Sequence, residues 1–175
     1  MRKIILLGGA AALLASAAQA HVHVVPAEAG PGATFTLGFT FGHGCEGAPT
    51  TALRVQMPAG IVSVQPFVKA GWQIEAVTGA YAAPQTLNGA EIAEGVVEVR
   101  WTGGEVPDAL YDEFYVRARI ADNVEPGTTL WFPVIQECPG GATSRWITVP
   151  VEGQPEPDEP TPGLLVTEPA TGGGH

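Results

Sequence analysis

Between residues 21 and 151 no segment keeps a helical period for more than about two turns, and this constrains the fold more than any other feature. The cause is 23 glycines and 16 prolines among 175 residues, which break helices and mark the ends of short strands. Between them apolar and polar residues alternate with the period of a strand that is dry on one face. The candidate strands are 21–26, 33–42, 50–58, 60–68, 72–78, 95–101, 111–120, 128–136 and 144–150. Turn signals such as Gly30-Pro31-Gly32, Pro58-Ala59-Gly60, Gly103-Gly104, Glu125-Pro126-Gly127 and Pro139-Gly140-Gly141 separate most of them. Residues 79–94 are the least regular stretch and read as a loop. The expected fold is all-β: an antiparallel β-sandwich of about 7–9 strands, immunoglobulin- or cupredoxin-like.

Both ends of the chain differ from this pattern. Met1-Arg2-Lys3 is a short basic start, Ile4 to Ala18 is apolar, and Ala18-Gln19-Ala20 supplies the small residues of a cleavage site. Residues 1–20 therefore read as a signal peptide cleaved after Ala20, which predicts a periplasmic or secreted protein. The apolar run is short for a membrane span, which needs about 20 residues, so no membrane anchor is expected in the mature chain. At the other end, residues 152–175 are dominated by proline, glycine and acids, with one apolar cluster at Leu164-Leu165-Val166. They read as a disordered acidic tail, which leaves 21–151 as the folded domain.

The formal charge is −10, and cleavage would remove Arg2 and Lys3, leaving Lys69 as the one lysine. Nucleic acid and anionic membranes select for basic patches, so neither is an expected partner. Cys45 and Cys138 both sit in turns. In an oxidising compartment an even cysteine count favours a disulfide. A pair of metal thiolates joined by His43 is the competing reading.

Cleavage after Ala20 would make His21 the first residue. Its free amine and its Nδ1 could then chelate one metal ion, and such a nitrogen pair suits Cu(II). His23 adds a second amino-terminal pattern, in which the amine, two deprotonated amides and the third-position imidazole form a square plane. If 21–26 pairs as a strand, those amides are committed to the ladder and the first-position chelate is favoured. In that strand His21, His23 and Val25 share one face, while Val22 and Val24 face the core.

Several local motifs accompany this start: His21-Val22-His23-Val24, Pro26, Ala29-Gly30, Ala48-Pro49-Thr50-Thr51, Gly71-Trp72 and Trp101-Thr102-Gly103-Gly104 with Pro107. Glu113-Phe114, Phe132-Pro133-Val134-Ile135-Gln136 and Arg145-Trp146 follow in order. In this the chain resembles the YcnI-like copper-binding domains of bacterial secreted proteins, over about residues 21–150. The resemblance implies a β-sandwich that holds one Cu(II) per mature chain in a single-histidine brace. It makes His21 the brace, Glu113 the carboxylate ligand and Trp146 the indole beside the metal. His23 stands where a Thr-like residue is common in the family, so it is a second candidate ligand. Asp112 and Tyr115 flank the glutamate. The Cys45 and Cys138 turns resemble a Gram-negative subset, which implies periplasm and disulfide together. By strand parity Phe114, Val116, Ala118 and Ile120 point inward, and Trp146 lies with Ser144 and Thr148 on a polar side.

The expected function is non-catalytic: copper scavenging, homeostasis or delivery, with a periplasmic copper chaperone or a cuproprotein as partner. Met57 is the one methionine after cleavage, so soft Cu(I) ligands are scarce. A copper-dependent oxidoreductase with a histidine-brace site and a metal-free secreted interaction module are the alternatives. The chain carries no Gly-x-Ser-x-Gly elbow, His-Glu-x-x-His motif or phosphate loop.

Overall fold

The computed structural model describes residues 21–169; the expected signal sequence and the last six residues lie outside it. Twelve strands follow one another among the described residues. They are β1 (His23–Val25), β2 (Glu28–Ala29), β3 (Thr34–Phe41), β4 (Thr50–Gln56), β5 (Ile61–Pro66) and β6 (Gln73–Leu87). Then come β7 (Ala90–Val106), β8 (Asp112–Ile120), β9 (Thr129–Trp131), β10 (Val134–Glu137), β11 (Thr143–Trp146) and β12 (Gly163–Val166). One sheet has the order β1-β3-β8-β5, and a second has the order β11-β10-β4-β7-β6. The third is small, β2-β12-β9.

The alternation along β8 shows why these residues make a sandwich. Phe114, Val116, Ala118 and Ile120 are all fully buried, while Tyr115 and Arg117 between them are exposed. Leu37, Phe39 and Phe41 of β3 join them from the same sheet. Leu53 and Val55 of β4, Val99 and Trp101 of β7 and Val134 of β10 meet them from the other. The indole of Trp101 stands edge-on to Phe114 with centroids 5.5 Å apart. Burying one such side chain contributes about 1.5–3 kcal/mol, so the expected antiparallel sandwich is the arrangement that this pattern stabilises.

Three expectations need correction. Residues 79–94 are not a loop but the distal part of the β6–β7 hairpin. Asn88 (φ 52°) and Gly89 (φ 77°) are both left-handed between the paired Leu87 and Ala90, as a two-residue hairpin turn requires. The expected strand 128–136 is two strands, divided at Phe132-Pro133. Pro133 has no amide hydrogen for a ladder, and there the chain passes from the third sheet to the second.

The expected disordered tail is the third. Leu164 and Val166 are fully buried in β12, which pairs antiparallel with β9 and parallel with β2. Thr148 and Pro160 form a bridge that leads into it. A three-residue apolar cluster is too small to order a free segment, but here it completes a sheet whose other two strands are already in place.

The disulfide forms between Cys45 and Cys138, 93 residues apart, which removes the thiolate-ligand reading. Closing a loop of that length stabilises the fold by roughly 4–5 kcal/mol in the chain-entropy model. No helix among the described residues is long and apolar enough to cross a membrane.

One carboxylate ties acid stability to the five-stranded sheet. Burial alone would raise the pKa of Glu98, but hydrogen bonds from Arg100 and Arg54 outweigh it and hold the carboxyl below its ordinary value of 4.5. A depressed carboxylate stabilises the fold above its unfolded pKa and loses that contribution as pH falls through the folded value. The urea midpoint should therefore drop on acidification from neutrality to about pH 3, and Glu98→Gln should drop less across the same window. Parallel curves for the two proteins would remove Glu98 from the acid response.

Candidate metal centre

His21 lies just before β1, and its imidazole meets the edge of the Trp146 indole at the end of β11. The ring centroids are 6.0 Å apart at an interplanar angle of 63°. His23, two residues on and therefore on the same face, has its ring centroid 6.2 Å from that of His21. Val22 and Val24 point the other way and are buried. His43, in the loop between β3 and β4, approaches Trp146 with centroids 5.8 Å apart. Nδ1 of His21 is 3.7 Å from Oε1 of Glu156.

Trp146 groups with Ser144 but not with Thr148, which is exposed, and the side it shares with Ser144 faces inward: Trp146 is 3% exposed, whereas Ile147 and Val149 are exposed. A buried indole needs an acceptor for its N–H. Gln136, fully buried on β10, supplies it, since Trp146 Nε1 donates to Gln136 Oε1 at 2.7 Å. The Gln136 amide in turn donates to the His43 carbonyl at 3.0 Å and to Thr50 Oγ1 at 3.1 Å. The Cys45–Cys138 bridge and a hydrogen bond from Gly44 N to Asp108 Oδ1 clamp the same loop. His43 Nδ1 donates to the Gly44 carbonyl at 2.6 Å. One buried amide thus holds both the indole and the His43 loop.

Glu113 has other surroundings. It lies in the row His23, Thr40, Glu113 across β1, β3 and β8, two strands from β1. Its carboxylate accepts a hydrogen bond from the Tyr115 hydroxyl. It lines an open groove of about 400 Å³ with Phe67, Val68, Lys69, Tyr111, Asp112 and Tyr115. Lys69 Nζ donates to Asp112 Oδ1 at 2.8 Å and to the Glu113 carbonyl at 2.9 Å, and sits 4.3 Å from the centre of the Phe114 ring. The fold brings His21, His23 and Trp146 together and directs the Glu113 carboxylate into this groove. Among the described residues no group of three or more His, Cys, Asp or Glu side chains is arranged to hold a metal ion.

His43 and Gln136 could not be assigned to this cluster from the sequence, because a loop and a central strand reach it by tertiary contact. Glu156 escaped for another reason: it lies in the segment expected to be disordered. Pro155 and Pro157, which flank it, were the available sign of an extended, stiff backbone.

Residues 21–166 match the family model described as a domain of unknown function, DUF1775. The chain belongs to this family. The DUF1775 match ends at Val166, where β12 ends. An uncharacterized protein from Nocardia farcinica, whose crystal structure reveals an immunoglobulin-like fold, is 25% identical to this DUF1775 chain. The alignment covers 84% of this chain and 98% of that one, with a TM-score of 0.64. The sixth cohesin of scaffoldin B from Acetivibrio cellulolyticus is 10% identical (TM-score 0.40, covering 84% of this chain and 98% of its own). A non-cellulosomal cohesin from Archaeoglobus fulgidus is 12% identical (TM-score 0.41, covering 86% and 93%). No curated protein matches. The fold of this DUF1775 domain is an immunoglobulin-like β-sandwich.

Proposed function

We propose that this domain binds one Cu(II) ion through the amine and imidazole of His21, once His21 is the first residue. Its role is then copper scavenging, homeostasis or delivery in the periplasm or outside the cell, as in the YcnI-like domains that the chain resembles. The observation that carries this reading is the position of His21, with its imidazole against the edge of Trp146 and its Nδ1 beside a carboxylate. Trp146 is the indole that the resemblance places next to the metal.

The donors present suit Cu(II) and not Cu(I). Both cysteines are in the disulfide, and Met57 is buried in the core, so imidazole and carboxylate are the ligand types near His21. His23 belongs to β1 and pairs with Thr40. A square plane built from deprotonated amides at the start of the chain would have to break that pairing, which favours the first-position chelate.

The deciding experiment is electron paramagnetic resonance of Cu(II) on protein that begins at His21, beside a control that keeps Ala20. The His21 protein should take up one equivalent with a single nitrogen-rich signal, and the control should lose it, because its residue 21 has an amide in place of the amine. Identical spectra would end the brace assignment. The groove around Phe67, Tyr111 and Tyr115 favours one other reading, a metal-free interaction module. Calorimetry showing no stoichiometric copper uptake by the His21 protein would turn the choice to it.

A further inference from the structure

We propose that Glu156, in the proline-rich segment between β11 and β12, is the carboxylate ligand that completes the His21 site; this rests on the copper-binding reading above. Geometry is the first support. A first-row metal ion bound by one nitrogen and one oxygen, each about 2.0–2.2 Å away, keeps those atoms roughly 2.9 Å apart at a right angle and roughly 4.1 Å apart when they are opposite. The separation of His21 Nδ1 from Glu156 Oε1, 3.7 Å, falls inside that window. It is also the separation of an ion pair, so the carboxylate already stands beside the ring that would bind the metal.

The backbone around Glu156 provides the second support. Pro155 and Pro157 stand on either side of it, and a following proline keeps a residue out of the helical region. Thr161 N donates to the Thr148 carbonyl at 2.9 Å, and Phe132 N donates to the Pro162 carbonyl at 2.9 Å. Nearer Glu156, the backbone amide of Arg145 donates to Glu159 Oε2 at 3.0 Å. Prolines and pins together restrict the segment before any metal arrives, so less conformational entropy is lost when the carboxylate becomes a ligand. The competing carboxylate, Glu113, is engaged by the Tyr115 hydroxyl in the groove.

The test is Cu(II) titration and electron paramagnetic resonance on the full chain from His21, as wild type, Glu156→Gln and Glu113→Gln. Glutamine keeps the shape and removes the charge, and the Glu156 side chain is 64% exposed, so this substitution leaves the core intact. Glu156→Gln should weaken copper binding about tenfold or more and alter the spectrum, while Glu113→Gln should leave both as in wild type. If wild type binds and Glu156→Gln matches it in affinity and spectrum, the assignment of Glu156 is overturned and the His21 site stands. Weaker binding in Glu113→Gln alone overturns Glu156 in the same way. A wild type that takes up no copper overturns both.

Discussion

A chain ending at Val151 should be far less stable than one ending at Val166, although the residues removed are mostly proline, glycine and acid. The loss comes from Leu164 and Val166, both fully buried in β12. Each contributes about 1.5–3 kcal/mol by burial, so truncation should cost at least about 3–6 kcal/mol. Removal of β12 also leaves β9 and β2 without partners in their sheet. A domain of this size has about 5–15 kcal/mol in total, so the shortened chain should melt far earlier or fail to fold. Urea denaturation of the two lengths measures this directly. Leu164→Ala in the full chain guards against an indirect effect of truncation and should by itself cost about 2–5 kcal/mol. A true surface tail would change stability by no more than about 0.5 kcal/mol, so agreement between the two lengths would mean that β12 contributes nothing.

The second large effect is on copper. His21→Ala should reduce Cu(II) affinity at least about 100-fold, equivalent to about 2.7 kcal/mol. The substitution keeps a first-position amine but removes the imidazole, and with it the chelate ring. The fold should survive, because His21 lies before β1, outside the strands, and its edge contact with Trp146 is worth about 0.5–1.5 kcal/mol. His23→Ala leaves that chelate in place and should have the smaller effect. Competition titration against a chelator of known affinity, with melting curves for all three proteins, separates binding from folding. Equal affinity in His21→Ala and wild type would remove His21 from the site.

What could be read from the sequence, and what could not, follows from how far each feature depends on distant residues. The inward row Phe114, Val116, Ala118 and Ile120 was legible because one strand with one dry face writes its period locally. The two-residue turn at Asn88-Gly89 was also written locally. It was hidden because much of the hairpin is exposed on both faces and shows no apolar alternation. For Trp146 the grouping with Ser144 was legible, but the direction of that face was not. It depends on Gln136, a polar residue that makes the interior a suitable place for an indole N–H. His21 stood out by its position after a cleavage pattern, whereas Glu156 is recognisable only after β12 has fixed where the proline-rich segment returns.

The parallel pairing of β2 with β12 has a consequence for the order in which this protein becomes functional. Glu28 lies beside Leu165, so strands from the two ends of the domain are neighbours, and His21 and Glu156 face each other from opposite ends of the sequence. A nascent chain holds one half of that pair without the other. Contacts between such distant segments bear the largest loop-closure cost and tend to form late. If metal is bound through both residues, its loading belongs to the finished domain, and copper held this way would report that folding is complete.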